Sequence, residues 1–263
     1  MSERLWLKNY PVRWNLEYPE ISLYEHIRRT TAEHGNLIAL VFFGNEITYR
    51  QMQENIERMA AALTDLGVKK GERVALMLPN CPEYVYTYYA CMKIGAIVVQ
   101  MNPLYMPDEV AFILKDSGAK IFVGIDAAIE SFQQVREKVS LEHVIIVRLL
   151  WTEVKGNNLW YDELLLNYPP ESSAAKIDPQ EDVAVFQYTG GTTGLPRAAM
   201  LTHYNLMANV TQIKEWLKEW IEINYAEKGR QHFGIGILPL FHSYGMTCVM
   251  NTGLTLPDRK SVV

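Results

Sequence analysis

The residues best suited to chemistry lie in one run, Tyr188-Thr189-Gly190-Gly191-Thr192-Thr193-Gly194-Leu195-Pro196-Arg197-Ala198-Ala199-Met200-Leu201-Thr202-His203. Gly190, Gly191 and Gly194 let a backbone turn at positive φ and approach a ligand closely. Backbone N–H groups in such a loop, joined by the hydroxyls of Thr189, Thr192 and Thr193, form a concave donor surface suited to phosphate oxygens. Arg197 adds a permanent cation with a planar donor fork. A solvated loop is the bland alternative for this composition. The run is not the G-x-x-x-x-G-K-[ST] loop, since it holds no Gly-Lys-Ser/Thr.

Such a loop needs rigid neighbours. The apolar run 183–186 leads into it, and Thr202-x-x-Asn205 opens a helix carrying Leu206 and Val210, so the loop is predicted between a strand and a helix. Ile213, Trp216, Leu217, Trp220 and Ile221 then fall on one helical face, read as packed on a sheet. A wall of an acyl tunnel or a face laid on a membrane are the alternatives.

Upstream, Trp6, Trp14 and Tyr18 suggest an extended aromatic arm, and Ser22-Leu23-Tyr24-Glu25 is a capping-box pattern opening a helix that ends at Gly35. Residues 38–43 and 46–49 around Gly44-Asn45 read as a hairpin. Thr48-x-x-Gln51 starts a second helix, with Met52, Ile56, Met59, Leu63 and Leu66 at helical spacing and Gly67 as its stop. Strands predicted at 73–78, 96–101, 120–124 and 143–147 then alternate with helices at 82–94, 107–117 and 127–139. That alternation specifies an α/β fold of layered α/β/α subdomains with largely parallel sheets. The polar stretch 152–182, with Pro169-Pro170-Glu171-Ser172-Ser173, predicts a boundary. The first α/β subdomain is assigned to 1–175 and the start of a second, holding the phosphate loop, to 176–257.

Composition narrows the function classes. An apolar content of 49% with 21% charged residues is that of a globular chain, and a net charge of −5 without a block of like charges gives no reason to expect nucleic acid. Cys81, Cys91 and Cys248 have neither metal-ligand nor disulfide spacing and read as small packing residues in a reducing compartment. No secretory pattern opens the chain and no apolar run reaches the length of a membrane span. A soluble cytoplasmic protein is expected, with peripheral membrane contact left open.

Taken whole, the run resembles the signature of the adenylate-forming, AMP-binding enzymes: acyl- and aryl-CoA ligases, luciferases and peptide-synthetase adenylation domains. Their usual form is Tyr-Thr-Ser-Gly-Thr-Thr-Gly-x-Pro-Lys-Gly, followed shortly by Thr-His. Gly190, Arg197 and Ala198 stand here where Ser, Lys and Gly are usual. A second segment, Leu238-Pro239-Leu240-Phe241-His242-Ser243-Tyr244-Gly245, is similar to the Leu-Pro-x-x-His-x-x-Gly of the long-chain fatty-acid–CoA ligases. Without that likeness a single loop histidine would read as structural. Asn102-Pro103-Leu104-Tyr105 also looks like a segment of these ligases, and by itself reads as a turn.

The resemblance runs from about Trp6 to Leu254 and implies ATP-dependent activation of a long-chain fatty acid, followed by transfer to the thiol of coenzyme A. It places Thr189, Gly190, Gly191, Thr192, Thr193 and Gly194 around the β- and γ-phosphates of ATP, with Thr189 as a hydroxyl ligand of Mg²⁺. It puts Arg197 in the role of the loop lysine and His242 beside the carboxylate being activated. The family's Mg²⁺-holding glutamate, adenine-stacking segment and catalytic lysine have no match here, so the 263-residue chain is expected to be inactive alone. Residues 258–263 look like translated sequencing adapter and are set apart from the fold. Two alternatives stay open: a non-catalytic nucleotide- or acyl-binding module, and a ligase for an aryl or amino acid.

Overall fold

The computed structural model describes residues 12–13, 15–151, 154, 156, 158–189, 196–225, 232–256 and 259–262. The first helix, α1 (Leu23–His34), is capped by Ser22, whose hydroxyl accepts from Glu25 N at 3.1 Å. The reciprocal half of the expected capping box is not made. The Glu25 carboxylate instead pairs with Arg28 and Arg29, one turn further on. Strands β1 (Ile38–Phe42) and β2 (Asn45–Thr48) form the expected hairpin, but its turn residues are Phe43 and Gly44, at φ 45° and 81°. Positive φ at both central positions matches the twist of the flanking strands. Helix α2 (Tyr49–Asp65) starts in a full capping box, with Thr48 and Gln51 each accepting from the other's backbone N–H. It buries Met52, Ile56, Met59 and Leu63.

From there the alternation is as read: β3 (Arg73–Met77), α3 (Pro82–Ile94), β4 (Ile97–Gln100), α4 (Pro107–Ser117), β5 (Ile121–Ile125), α5 (Ile129–Arg136) and β6 (His143–Val147). Strand β3 pairs in parallel with β4 and β5, and β5 with β6, so the predicted parallel sheet is present. Alternate residues of each strand face opposite layers. Val74, Leu76 and Val98 join the core beneath α1, α2 and α3, while Ala75, Met77 and Val99 pack with Val110, Leu114 and Phe132 of α4 and α5.

The polar stretch does not act as a boundary. Within it β7 (Leu159–Trp160) adds to β6, and α6 (Tyr161–Asn167) packs on α2, where Arg58 donates to the carbonyls of Leu165 and Tyr168. Strand β8 (Val183–Thr189) then pairs in parallel with β4, and β9 (Arg197–Thr202) pairs antiparallel with β8. One seven-stranded sheet, β7-β6-β5-β3-β4-β8-β9, is therefore continuous across residue 176, where a second subdomain was expected to begin. Helix α7 (His203–Tyr225) follows, with Thr202 and Asn205 capping each other. Leu206, Met207 and Val210 are buried, but Trp216 is half exposed. Of the face expected to pack on the sheet, the Trp220 and Ile221 side chains lie outside the described residues; α7 contacts α1, strand β9 of the sheet and the π-helical turn Gly245–Asn251. A second sheet, β10-β11-β1-β2, is completed by β10 (His232–Ile235) and β11 (Arg259–Val262), so residues set apart from the fold in the sequence occupy a strand position between β10 and β1.

Two buried features hold α1 to its neighbours. Lys93 on α3 and Tyr24 on α1 both contact the Glu57 carboxylate on α2, which also accepts from Gln53 at 2.8 Å and Ser172 at 3.1 Å. Burial alone would raise the Glu57 pKa, but hydrogen bonds from Lys93, Tyr24 and Gln53 and the Lys93 charge hold it below the usual carboxylate value. The other feature is His203, fully buried, whose Nδ1 accepts from Leu23 N, the first amide of α1, at 3.4 Å. Burial lowers its pKa to about 4, and His26 on α1 is lowered to about 4 as well, by burial and then by the charges of Lys214 and Arg29.

Both imidazoles ordinarily titrate near 6.5 in an unfolded chain. Between about pH 6.5 and 4 the unfolded state therefore binds more protons, and stability falls as pH falls through that window. His203 alone is expected to remove about 1–2 kcal/mol between pH 7 and pH 5. Urea midpoints at the two pH values should show this loss in the parent chain and a smaller one in His203→Gln. An equal loss in both would exclude the buried imidazole as its source.

Candidate functional site

Parallel strands β3, β4 and β8 all end at the same edge of the large sheet. The crossover after β3 leaves through α3 on one face, whereas that after β4 leaves through α4 on the other. Diverging crossovers open a crevice outside the carboxyl ends of the strands, the usual ligand position in such sheets. The segment 236–246 is seated over this edge.

Its attachment is dense and specific. Asn80, just after β3, donates through Nδ2 to the carbonyls of Gly236 at 2.7 Å and Leu238 at 3.0 Å, and its Oδ1 accepts from Leu240 N at 2.8 Å. Tyr84 on α3 donates to the Leu240 carbonyl at 2.8 Å. Gln100 and Gln187, register partners on β4 and β8, both reach the segment. Gln100 Nε2 donates to the Tyr84 hydroxyl and to Met246 Sδ, and Gln187 Nε2 donates to the Phe241 carbonyl at 3.3 Å. The Oε1 atoms of both glutamines are buried without a hydrogen-bond partner among the described residues. None of these four side chains carries a motif of its own. The signal available in the sequence was positional only: polar residues at the ends of buried parallel strands.

His242 sits at the exposed crest of this segment. Its backbone N–H donates to the Pro239 carbonyl at 3.1 Å, and its carbonyl accepts from Met246 N at 2.9 Å. Its Nδ1 accepts from Tyr244 N at 3.4 Å, which assigns the proton of the neutral ring to the outward Nε2. A ring in that state offers one N–H to an oxyanion. Gly245 permits the turn, since an added Cβ would lie 2.0 Å from the Pro239 carbonyl oxygen. Backbone cannot yield there cheaply. Gly245→Ala is expected to cost about 1–3 kcal/mol and to loosen the His242 turn, which urea unfolding and amide exchange would register.

Thr189 and Arg197 are register partners at the loop end of the β8–β9 hairpin, with the Thr189 hydroxyl 3.4 Å from the Arg197 carbonyl. Both are exposed, and Arg197 pairs with no carboxylate among the described residues. Gly190, Gly191, Thr192, Thr193 and Gly194 lie outside the described residues. Their flanks correct one expectation: the loop joins two antiparallel strands, not a strand and a helix. Residues 197–202 form the edge strand β9 alongside β8 before the chain enters α7, so Arg197 is fixed on a strand rather than in the loop. Gln187 lies two residues before Thr189, and its bond to Phe241 ties the strand carrying the loop to the segment carrying His242. Cys81 and Cys91 are buried with thiol pKa values pushed up by burial, as suits packing residues. No group of three or more His, Cys, Asp or Glu able to hold a metal occurs among the described residues.

Comparison with known proteins identifies the family. The AMP-binding enzyme family profile matches residues 27–256. A long-chain-fatty-acid–CoA ligase of Bacillus subtilis is 31% identical over 97% of this chain and 49% of its own length. That of Salmonella typhimurium is 32% identical over 93% of this chain and 47% of its own. The crystal structure of a long-chain-fatty-acid-CoA ligase from Archaeoglobus fulgidus superposes with a TM-score of 0.80 at 29% identity, over 97% of this chain and 49% of that one. The chain thus spans about half the length of the relatives it matches. Its parallel sheet, its crevice and its matched sequence together place it in the AMP-binding enzyme family, as the N-terminal part of the fold of adenylate-forming enzymes.

Proposed function

We propose that this chain forms the acid- and phosphate-handling half of a long-chain fatty-acid–CoA ligase, which joins a fatty acid to AMP at the expense of ATP and then passes the acyl group to coenzyme A. The observation that carries this reading is the convergence of Thr189, Arg197 and His242 at one sheet edge, linked through Gln187 and Phe241. The relatives named above are fatty-acid ligases, which favours a fatty acid over an aryl acid as substrate.

In the first half-reaction a carboxylate oxygen attacks the α-phosphorus of ATP and pyrophosphate leaves in line. Charge grows on the leaving phosphates, so fixed donors there lower the barrier. The hydroxyl of Thr189, the N–H groups of Gly190 to Gly194 and the guanidinium of Arg197 supply them. Thr189 and Arg197 suit this role because both are exposed and Arg197 has no described carboxylate to neutralise it. The Thr189 hydroxyl would be this chain's oxygen ligand for a Mg²⁺ ion, which would supply further neutralising charge. His242 donates Nε2–H to the carboxylate and orients it, while the exposed Ile237 and Tyr244 border the histidine with surface suited to an alkyl chain. The catalytic lysine and the thiol-handling parts of the family lie in the portion of the relatives that this chain does not match.

The test measures the two half-reactions separately in the protein joined to the remainder of the family fold. His242→Ala is expected to slow acyl-adenylate formation about tenfold, the effect of losing one hydrogen bond to a charged group, with transfer from preformed acyl-adenylate to coenzyme A much less affected. Equal loss in both halves would mark His242 as structural. Preference for an aryl acid over every long-chain fatty acid would overturn the substrate assignment.

A further inference from the structure

We propose that Asn80 is a positioning residue that locks the turn bearing His242 over the carboxylate site, a role that rests on the function proposed above. The segment 236–240 leaves β10 after Ile235 and has no strand partner of its own. It also contains Pro239, which lacks an N–H. One planar amide meets its needs: two N–H bonds go out to the carbonyls of Gly236 and Leu238, and one bond returns from Leu240 N. These three bonds straddle Pro239 and fix the chain at alternate residues immediately before His242.

No other common side chain of that size does this. A carboxylate in the same place could still accept from Leu240 N, but it would face two carbonyl oxygens with no proton to offer. Serine or alanine would leave those carbonyls unpaired. The position of Asn80 adds to the argument, because it follows directly on β3, whose interior residues are fully buried and paired on both sides. A buried strand, paired on both sides, thereby holds the exposed crest of the site. Tyr84 and Gln187 secure Leu240 and Phe241 from α3 and β8, so removing Asn80 frees the leading limb of the turn and leaves the trailing limb attached.

Asn80→Asp and Asn80→Ala test this, in the protein joined to the remainder of the family fold, by amide hydrogen exchange together with calorimetric binding of a non-hydrolysable acyl-sulfamoyl adenosine and of AMP. Exchange at Leu240 is expected to rise about ten- to hundredfold in Asn80→Ala, and exchange at His242 in both variants, with amides of β3, β4 and β5 unchanged. Affinity for the acyl analogue should fall more than affinity for AMP, and His242→Ala should reproduce that selective loss. Unchanged exchange at Leu240 in Asn80→Ala, or a uniform rise across the sheet, would overturn the positioning role. So would a local rise in exchange without selective loss of the acyl analogue, when His242→Ala does show that loss. If His242→Ala and both Asn80 variants bind the analogue as the parent does, it is the reading of the site that fails, and the proposal falls with it.

Discussion

Arg197→Ala is expected to slow acyl-adenylate formation by about one to three orders of magnitude, the usual consequence of removing one preorganised donor from developing charge. Arg197 stands at the loop end of the β8–β9 hairpin, opposite Thr189 in register. Its anchorage is the backbone of β9, so its charge is held from a paired strand. Arg197→Lys should be tolerated or should improve turnover, because the charge is retained and a thinner, more flexible stem occupies the same strand position. Rapid-quench measurement of adenylate formation on both variants, in the protein joined to the rest of the family fold, decides between charge and shape. Unchanged adenylation in Arg197→Ala would remove the residue from phosphate handling altogether.

Lys93→Met should be strongly destabilising, at about 3 kcal/mol, because it strands a partly buried carboxylate without its cation. Glu57 would keep its neutral donors, Gln53, Ser172 and Tyr24, but would lose the ammonium that also lies 5.3 Å from the Tyr24 ring centroid. Those three donors join α1, α2 and residue 172, so the loss should spread through the layer that covers the sheet. Adding Glu57→Gln should recover more than half of the deficit, since the amide still accepts from Tyr24 and carries no charge to desolvate. Urea midpoints of the parent, single and double variants at pH 7 test both statements. A single-variant cost under about 1 kcal/mol would mean that water takes the place of the ammonium.

The sequence made the alternating part of the chain legible because its signals are local. Pro82 and Pro107 begin α3 and α4, Gly95 and Gly118 end them at positive φ, and Thr48 with Gln51 closes a capping box from adjacent turns. Each depends on residues within four positions of one another, so no tertiary information is needed. The hairpin turn slipped by one residue because Gly44 serves equally well in either register, and only pairing of Phe42 with Asn45 chooses. The boundary at 176 was misplaced for a related reason: polarity marks exposure, not an interruption of hydrogen bonding, and β8 pairs with β4 across more than eighty intervening residues.

A resemblance to known ligases singled out His242; by itself, the sequence determined the parallel α/β class, the limits of α2, α3 and α4, and donor residue types suited to phosphate at Thr189 and Arg197. These follow from side-chain chemistry and short-range spacing. The tertiary structure decided how those residues meet. It placed Arg197 on a strand, gave His203 to the first amide of α1, and brought Asn80, Tyr84, Gln100 and Gln187 from separate elements to one turn. Each of these contacts spans a long loop of chain and is made by a polar group with several equivalent partners in an unfolded polymer. Which partner it takes is fixed only when the apolar cores on the two faces of the sheet close and bring β3, β4 and β8 into register.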